Sequence, residues 1–376
     1  MKSHERFDLT YVTIDSLSEG VGSSQITPLI TRLSESGLKI NLISYEKSNP
    51  GTVLPDYFKS IGVEWNARPF GSSGVLGGVA RINDLRREIP TTNLIHARSD
   101  IPAVSAIASH QGRVLWDVRS LWADQKILIQ QNWLNKTLYS SYRKLEKIAA
   151  HKSLGMSTLT NAVVPILEKR NGNLPSLRTV VPTAVDLDRF RLNSKMPKTL
   201  RALFSGTYND YYDLNLSSLF MNELRKQIYV ETHWARPLES STPSLGVGEE
   251  EILFVVQTQM AELIPKYSFG VSICKLDAGP SLAAAMPTKI GEFLASGRPV
   301  VVNKGLGDMD NFIAESNIGV ILNGNPKDTK DGATKLISLI SDPETPFRCR
   351  EVAEKYFSMD IGAEKYLDLY SRMLQN

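Results

Sequence analysis

Short apolar runs alternate with longer amphipathic stretches along this chain, and glycine or polar residues separate them. Leu9–Ile14 predicts a first strand, residues 25–36 a helix, and residues 39–44 a second strand. Gly20 and Gly22 lie in the loop that joins the first strand to the helix. A strand, a glycine loop, a helix and another strand form a βαβ unit, and such units build parallel sheets. The opening of the chain therefore predicts an α/β domain.

The alternation continues and then restarts near Leu200, where a strand, a loop at Gly206 and a helix repeat the opening. Further strands are predicted at residues 63–69, 93–98, 114–118, 157–160, 178–185 and 269–274, further helices at residues 75–87 and 126–152 and from Pro326 and Pro346, and a polar surface loop at residues 239–249. The length suits two domains. We expect two Rossmann-like α/β domains that face each other across a cleft, over residues 1–190 and 191–358. The last helix, over residues 359–376, is expected to pack back on the first domain.

One stretch, AAAMPTKIGEFLASGRPVVV at Ala283–Val302, joins a helix to a strand. A proline at the helix start and a glycine after its last turn are usual helix boundaries. The apolar stripe that would pack on a sheet is formed by Ile290, Phe293 and Leu294. Glu292 shares the opposite face with Thr288, so the pattern alone predicts a solvated glutamate. Residues 298–302 predict a short buried strand of a parallel sheet.

The composition is 42% apolar and 22% charged over 376 residues, with a formal net charge of +3. These values are typical of soluble globular proteins, and so small a charge does not indicate nucleic-acid binding. Cys274 and Cys349 are too few and too far apart for a disulfide framework or a zinc site. The first residues lack the apolar segment of a secretory signal, and no apolar run reaches the roughly 18 residues of a membrane span. We therefore expect a cytoplasmic protein.

Polar side chains cluster at the ends of two consecutive predicted strands. His96 and Arg98 end the first within IHARSD, and Asp117 and Arg119 end the second within WDVRSLWAD. Open α/β sheets bind their ligands at the carboxyl ends of their strands. A single histidine or aspartate is usually structural, but two adjacent clusters predict a site.

The predicted helix at residues 126–152 carries six lysines and arginines against one acid, Glu146. Apolar residues recur along it at helical spacing. One interpretation, which we favour, is a helix packed on the core with a solvated basic face. The other is a helix that lies on an anionic membrane.

Residues 283–302 resemble the signature of glycosyltransferase family 4, retaining enzymes of the GT-B fold. The family pattern is a helix that carries a glutamate, followed by A-x-G-x-P-V-V. That glutamate holds the ribose hydroxyls of a nucleotide-sugar donor in the family, so the resemblance implies this role for Glu292. Ala284 stands where the family usually has a second glutamate, which leaves the contact to the donor's sugar unassigned.

The resemblance extends to other segments. SEGVGSSQ resembles the glycine loop that lies under the donor diphosphate in the family, which implies donor contacts from Gly22, Ser23 and Ser24. The further donor-binding positions that it implies are Gly206, Lys275, Thr288 and Lys289. The family's usual arginine and lysine are missing from GTYNDYYDLN, so Arg236 and Lys275 are the candidates for gripping the diphosphate. IHARSD and WDVRSLWAD resemble a polysaccharide-cluster branch of the family. They imply that His96, Arg98, Asp117 and Arg119 act on the transferring sugar or the acceptor.

The resemblance implies retaining transfer of a sugar from a nucleotide-sugar donor to a saccharide or lipid-linked saccharide acceptor, in surface-polysaccharide assembly. No cofactor, metal or nucleic acid is expected. Peripheral contact with the inner face of the membrane is left open. Two D-x-D triplets, Asp186–Asp188 and Asp308–Asp310, resemble the metal motif of the other glycosyltransferase fold. We interpret both as features of loops and helix starts. Three alternatives stay open: a nucleotide-sugar epimerase of GT-B architecture, a non-catalytic nucleotide-sugar-binding or scaffold protein, and a membrane-attached partner subunit.

Overall fold

The computed structural model describes residues 7–129, 133–237, 245–246 and 250–376. Its contacts divide this part of the chain into two compact units. The first unit comprises residues 7–123, 133–181 and 359–376, and the second comprises residues 124–129 and the described part of 182–358. The division falls before the predicted boundary at residue 190. By this division Thr183 lies in the second unit, where it donates a hydrogen bond to the carbonyl oxygen of Met286 at 2.9 Å.

The strands are β1 (Phe7–Val12), β2 (Ile40–Glu46), β3 (Glu64–Pro69), β4 (Thr92–Arg98), β5 (Arg113–Val118), β6 (Gly155–Thr158), β7 (Leu177–Val180), β8 (Arg201–Ser205), β9 (Glu231–Arg236), β10 (Glu250–Phe254), β11 (Phe269–Ser272), β12 (Val300–Asn303) and β13 (Gly319–Leu322). The helices are α1 (Thr27–Glu35), α2 (Val53–Ser60), α3 (Gly74–Glu88), α4 (Asp100–Ser109), α5 (Trp122–Ile129), α6 (Trp133–Lys152), α7 (Val164–Asn171), α8 (Leu214–Arg225), α9 (Met260–Leu263), α10 (Pro280–Ala283), α11 (Thr288–Ala295), α12 (Met309–Ser316), α13 (Pro326–Ser341), α14 (Thr345–Val352) and α15 (Met359–Gln375).

The first unit is built on a seven-stranded parallel sheet in the order β3-β2-β1-β4-β5-β6-β7. The order reverses after β3, so right-handed crossovers place α1 and α2 on one face and α3, α4, α6 and α7 on the other. In agreement with this, α4 packs between α3 and α6, whereas α15 packs against α1, β4 and β7. The last helix of the chain thus belongs to the first unit.

The second unit is built on a six-stranded parallel sheet in the order β10-β9-β8-β11-β12-β13. Its core combines β8 and β11 with α8 and α13, and the aromatic rings of Phe204, Phe220 and Phe269 are fully buried there. Helix α11 covers another part of the sheet and contacts β11, β12 and α14. Two parallel sheets flanked by helices confirm the predicted pair of Rossmann-like domains.

Several predictions about single elements need correction. The predicted helix at residues 126–152 is two helices, α5 and α6, and residues 130–132 lie outside the described residues, as does most of the predicted loop at residues 239–249. The sequence pattern missed α2, α4, α9, α10, β9, β10 and β13. No described helix is both long enough and apolar enough to cross a membrane.

Candidate functional site

The carboxyl edge of the second unit's sheet brings several predicted donor-binding residues together. Strand β8 ends at Ser205, and Gly206 follows with a φ of +91°, in the left-handed region that favours glycine. The Gly206 N–H donates to the carbonyl oxygen of Ala235 at 2.9 Å. This bond fixes the turn out of β8 against the neighbouring strand β9. Ligands of open α/β sheets bind at such an edge.

Lys289 reaches this edge from the first turn of α11. Its side chain is buried, and its Nζ has no hydrogen-bond partner among the described residues. The ammonium lies 4.2 Å from the centre of the Tyr212 ring and 4.7 Å from that of Tyr208. A Cβ atom added at Gly206 would lie 4.0 Å from it. Burial lowers the pKa of Lys289 to about 8.

Two hydroxyl groups at this sheet edge are, like the Lys289 ammonium, buried without a hydrogen-bond partner among the described residues. Ser205 and Ser272 end the neighbouring strands β8 and β11, both are buried, and neither Oγ has a hydrogen-bond partner among the described residues. Buried polar groups are almost always hydrogen-bonded in native proteins. A buried ammonium and two unsatisfied hydroxyl groups at one sheet edge therefore suit an anionic ligand that brings its own acceptor oxygens.

Glu292 lies one turn after Lys289 on α11, and its side chain is only 5% exposed. The prediction that it is solvated is wrong, because a segment after β10 covers it. From that segment, Gln257 donates through Nε2 to Oε1 of Glu292 at 2.7 Å. Arg189 in turn donates through Nη2 to the carbonyl oxygen of Gln257. Burial raises the pKa of Glu292, and the bond from Gln257 opposes that effect.

The other candidate residues for binding the sugar donor also lie in the second unit, but their surroundings give less evidence for a role. Thr288 is the first residue of α11 and is half-buried. Lys275 follows β11, is half-buried, and its N–H donates to the carbonyl oxygen of Tyr211 at 2.9 Å. Arg236 ends β9 and is buried, which lowers its pKa. Ala284 is buried too, so this position supplies no carboxylate.

Sequence reasoning missed the tyrosines that follow β8. The segment GTYNDYYDLN contains no basic residue, but the Tyr208 and Tyr212 rings hold the Lys289 ammonium that comes from α11. Tyr211 points elsewhere and donates to the carbonyl oxygen of Ser281 at 3.1 Å. Three tyrosines within five residues after a strand were the available signal. A cation therefore does lie beside this segment, but it comes from a helix that follows much later in the chain.

In the first unit, the predicted glycine loop is shorter than expected, because a π-helical turn at Gly22–Ile26 continues into α1. A Cβ atom at Gly22 would lie 1.9 Å from the carbonyl oxygen of Ser16, so only glycine fits. The hydroxyls of Ser23 and Ser24 both donate to the carbonyl oxygen of Gly20 at 3.0 Å. The lack of a side chain at Gly22 thus lets two segments of the chain itself approach each other closely. Donor contacts by Gly22, Ser23 and Ser24 stay a prediction.

Glu46, at the end of β2, holds the segment before that turn, and sequence reasoning did not identify it. Its buried carboxylate accepts hydrogen bonds from the hydroxyls of Ser16 at 2.6 Å, Ser18 at 3.0 Å and Ser44 at 2.7 Å. It also accepts from the N–H of Leu17 at 2.9 Å. Burial would raise the pKa of Glu46, but these donors hold it below its ordinary value. The carboxylate therefore fixes the backbone that Gly22 packs against.

His96 and Asp117 lie in the interior of the first unit, contrary to the prediction that they face a substrate. Both are 0% exposed. Nδ1 of His96 lies 2.6 Å from the Tyr370 hydroxyl, and its Nε2 lies 3.2 Å from Oδ2 of Asp117. Oδ1 of Asp117 accepts from Ser157 at 2.8 Å and from Tyr366 at 3.2 Å. Both side chains point at the sheet face that α15 covers, and not past the sheet edge.

The two arginines of this cluster complete the network. Arg98 donates through Nε to Asp15 at 3.0 Å, and Arg119 donates to the carbonyl oxygen of Val181 at 3.3 Å. Burial would raise the pKa of Asp117, but Arg119, His96 and Arg98 together hold it well below its ordinary value. Asp117 is thus an ionised anchor for its neighbours. Contacts of Arg98 and Arg119 with a sugar stay a prediction.

Neither D-x-D triplet is part of a recognisable metal centre. Oδ1 of Asp186 accepts from the Asp188 N–H at 3.1 Å within a turn, and Asp308 directly precedes α12. In the part of the chain that the structure describes, no three His, Cys, Asp or Glu side chains are placed to bind one metal ion.

No model of a known protein family matches the sequence, and no curated protein matches it. Solved structures do match over nearly the whole chain. Sucrose-phosphate synthase of Thermosynechococcus elongatus is 11% identical with a TM-score of 0.70, over 98% of this chain and 100% of that one. A glycosyltransferase of Rickettsia africae is 14% identical with a TM-score of 0.66, over 99% and 100%. HepE of Anabaena, in complex with UDP-glucose, is 10% identical with a TM-score of 0.66, over 98% and 100%. At such identities the likeness concerns the fold, and that fold is GT-B.

Proposed function

We propose that this protein is a glycosyltransferase that moves a sugar from a nucleoside-diphosphate sugar to a saccharide or lipid-linked saccharide acceptor. The proposal includes retention of anomeric configuration, no metal requirement and a role in polysaccharide or glycoconjugate assembly. It rests mainly on one observation, the buried Lys289 ammonium that has no hydrogen-bond acceptor at the carboxyl edge of the second sheet. The structures of HepE with UDP and glucose and with UDP-glucose support a donor of this class for the fold.

The spacing of the site suits a nucleoside diphosphate. Residues three apart on a helix share a side of it, so Lys289 and Glu292 address adjoining parts of one ligand. The ammonium would bind the diphosphate, and the carboxylate would accept hydrogen bonds from the two ribose hydroxyls. A fixed positive charge at the diphosphate also stabilises the charge that develops there when the sugar leaves. Gly206 lets the backbone approach the same phosphates closely.

Titrations of Glu292→Gln with UDP and with inorganic pyrophosphate test this arrangement. Each charge-assisted hydrogen bond to ribose is worth about 1.5–3 kcal/mol, so UDP affinity should fall at least about tenfold. Pyrophosphate affinity should stay unchanged because that ligand has no ribose. Glu315→Gln, an exposed glutamate on α12 of the same unit, is the matched control and should change neither affinity. Unchanged UDP affinity in Glu292→Gln would remove Glu292 from the site.

The donor can be identified without knowledge of the acceptor. A thermal-shift screen of nucleoside diphosphates and their sugars reports binding, because a ligand of the native state raises stability by mass action. Incubation of the best donor with and without saccharide acceptors then separates the activities. Transfer that needs an acceptor supports a glycosyltransferase, whereas epimerised sugar nucleotide without an acceptor supports an epimerase. Donor binding with neither product supports a binding protein.

A further inference from the structure

Helix α6 presents a row of basic residues on the outside of the first unit. Its exposed side runs through Trp133, Lys136, Ser140, Lys144 and Lys147, at spacings of three or four residues. Residues at that spacing share one side of a helix. The opposite side, which bears Tyr142 and Ala149, is buried. The core-packed arrangement that we favoured from the sequence therefore holds, and it leaves the basic residues on one outward strip.

The strip is not neutralised by the acid of its own helix. Glu146 is the one acidic residue in the sequence of α6, and it is buried. Its carboxylate contacts the guanidinium of Arg143, and it accepts from Nδ2 of Asn171 at 2.7 Å. Arg170 lies 3.8 Å away. The exposed charges of α6 are consequently all positive.

Apolar side chains accompany the basic strip. Trp133 is 76% exposed at the first turn of α6. On α3, which α4 separates from α6 in the same layer of helices, Leu76 is 83% exposed and Val79 51% exposed. A tryptophan and aliphatic side chains beside lysines suit the boundary between lipid headgroups and acyl chains. Nucleic acid would use the lysines but would gain little from an exposed leucine and valine.

We infer that this face, the outward sides of α6 and of the first turns of α3, docks on an anionic lipid membrane. The lysines bind the negatively charged headgroups, and Trp133 and Leu76 insert at the interface. Both helices lead back towards the amino ends of strands, so their first turns lie near the carboxyl edge of the sheet. Docking would hold that edge close to the lipid surface. The inference does not depend on glycosyl transfer, because vesicle binding is measured without turnover.

The test uses the full chain with vesicles of phosphatidylglycerol and phosphatidylcholine, at low and at physiological salt. Removal of one lysine near such a surface costs about fivefold in affinity, the equivalent of about 1 kcal/mol. The triple change of Lys136, Lys144 and Lys147 to Gln should therefore weaken binding about 100-fold. Salt should weaken binding of the parent because it screens the same attraction.

The matched control changes three other exposed lysines of the same unit, Lys39, Lys47 and Lys59, to Gln. It removes the same charge from elements outside the proposed face and should change affinity by no more than about threefold. An equal loss in both triple variants would reduce the effect to net charge and overturn the inference. Absence of binding to anionic vesicles at low salt would overturn it too, as would equal binding to pure phosphatidylcholine.

Trp133 gives a second and independent readout. Of the five tryptophans, Trp116 and Trp234 are fully buried and Trp65 and Trp122 are half-buried, so Trp133 alone is largely exposed. Its emission should shift to the blue when vesicles are added, and Trp133→Phe should abolish the shift while binding persists. A shift that survives in Trp133→Phe would show that another part of the molecule meets the lipid. Binding of single-stranded nucleic acid through the same lysines, without vesicle binding, would replace the membrane as the partner.

Discussion

Replacement of Lys289 with methionine should make the protein more stable and its nucleotide binding weaker. The pKa of Lys289 falls from 10.5 to about 8 because the ammonium is buried. At about 1.4 kcal/mol per pH unit, this difference corresponds to a cost of about 3 kcal/mol at neutral pH. Contacts with the Tyr208 and Tyr212 rings return about 1–2 kcal/mol of that cost. Methionine fills the same space without charge, so the free energy of unfolding should rise by about 1–2 kcal/mol.

The difference in stability between Lys289→Met and the parent should depend on pH. The folded pKa of Lys289 lies below the unfolded value, so the unfolded chain binds more protons between about pH 8 and pH 10.5. The stability of the parent should therefore rise with pH over that window, while Lys289→Met lacks this contribution. The advantage of the variant should be complete below about pH 8 and should shrink as the pH approaches 9.5. Urea denaturation at pH 7, 8.5 and 9.5 measures it, with Lys335→Met on the exposed side of α13 as the control.

Lys289→Met should also weaken the binding of ligands at the proposed site. UDP and pyrophosphate should both bind at least about tenfold more weakly to Lys289→Met, since both ligands use the ammonium. UDP affinity of the parent should also fall as the pH rises above about 8, where the free lysine loses its proton. A gain of stability at the expense of binding is typical of functional sites. If Lys289→Met is less stable at pH 7 and binds UDP normally, the lysine is structural and the proposed site is wrong.

Three further outcomes follow from the first unit. Glu46→Gln should lower the free energy of unfolding by about 2–3 kcal/mol, because an amide cannot accept from all of the donors around it. Urea denaturation measures this difference, and the parent should lose the same contribution to stability as the pH falls below about 4.5. Asp117→Asn should cost about 3–5 kcal/mol in thermal unfolding, because Arg119 loses its counter-charge and Arg98 is left with Asp15, while UDP affinity of the folded protein stays the same. Tyr370→Phe should cost about 1 kcal/mol and speed hydrogen exchange in α15, since it removes the hydroxyl beside His96.

The fold could be predicted from the sequence where apolar runs are short and end at glycine or polar residues. Strands β4 and β5 differ from their predicted bounds by one residue each. The missed elements lack such a pattern. Helix α4 is buried on most sides and reads as a continuous apolar segment without a period. Strand β10 is an edge strand whose Ile252 and Phe254 are exposed, so its apolar residues are not confined to a core face.

The site was harder to predict because its contacts join distant segments. The pattern alone made Glu292 a solvated residue, since nothing in α11 indicates that Gln257 covers it. The clusters around His96 and Asp117 do lie on adjacent strands, as expected. The sequence could not show that two tyrosines of the last helix enclose them, because that contact spans most of the chain.

Burial does not distinguish a structural charge from a binding group in this protein. The groups that surround the charge do. Asp117 is fully buried, and each of its oxygens lies close to a donor or a cation of the same unit. Arg298 is equally buried and donates to the carbonyl oxygens of three residues, Asn193, Lys195 and Pro265. Burial of the Lys289 ammonium also destabilises the fold, but the described chain surrounds it with aromatic rings and gives it no hydrogen-bond acceptor. Since an unsatisfied buried charge is unfavourable for the free protein, an anionic ligand that completes it is the simplest reason for its presence.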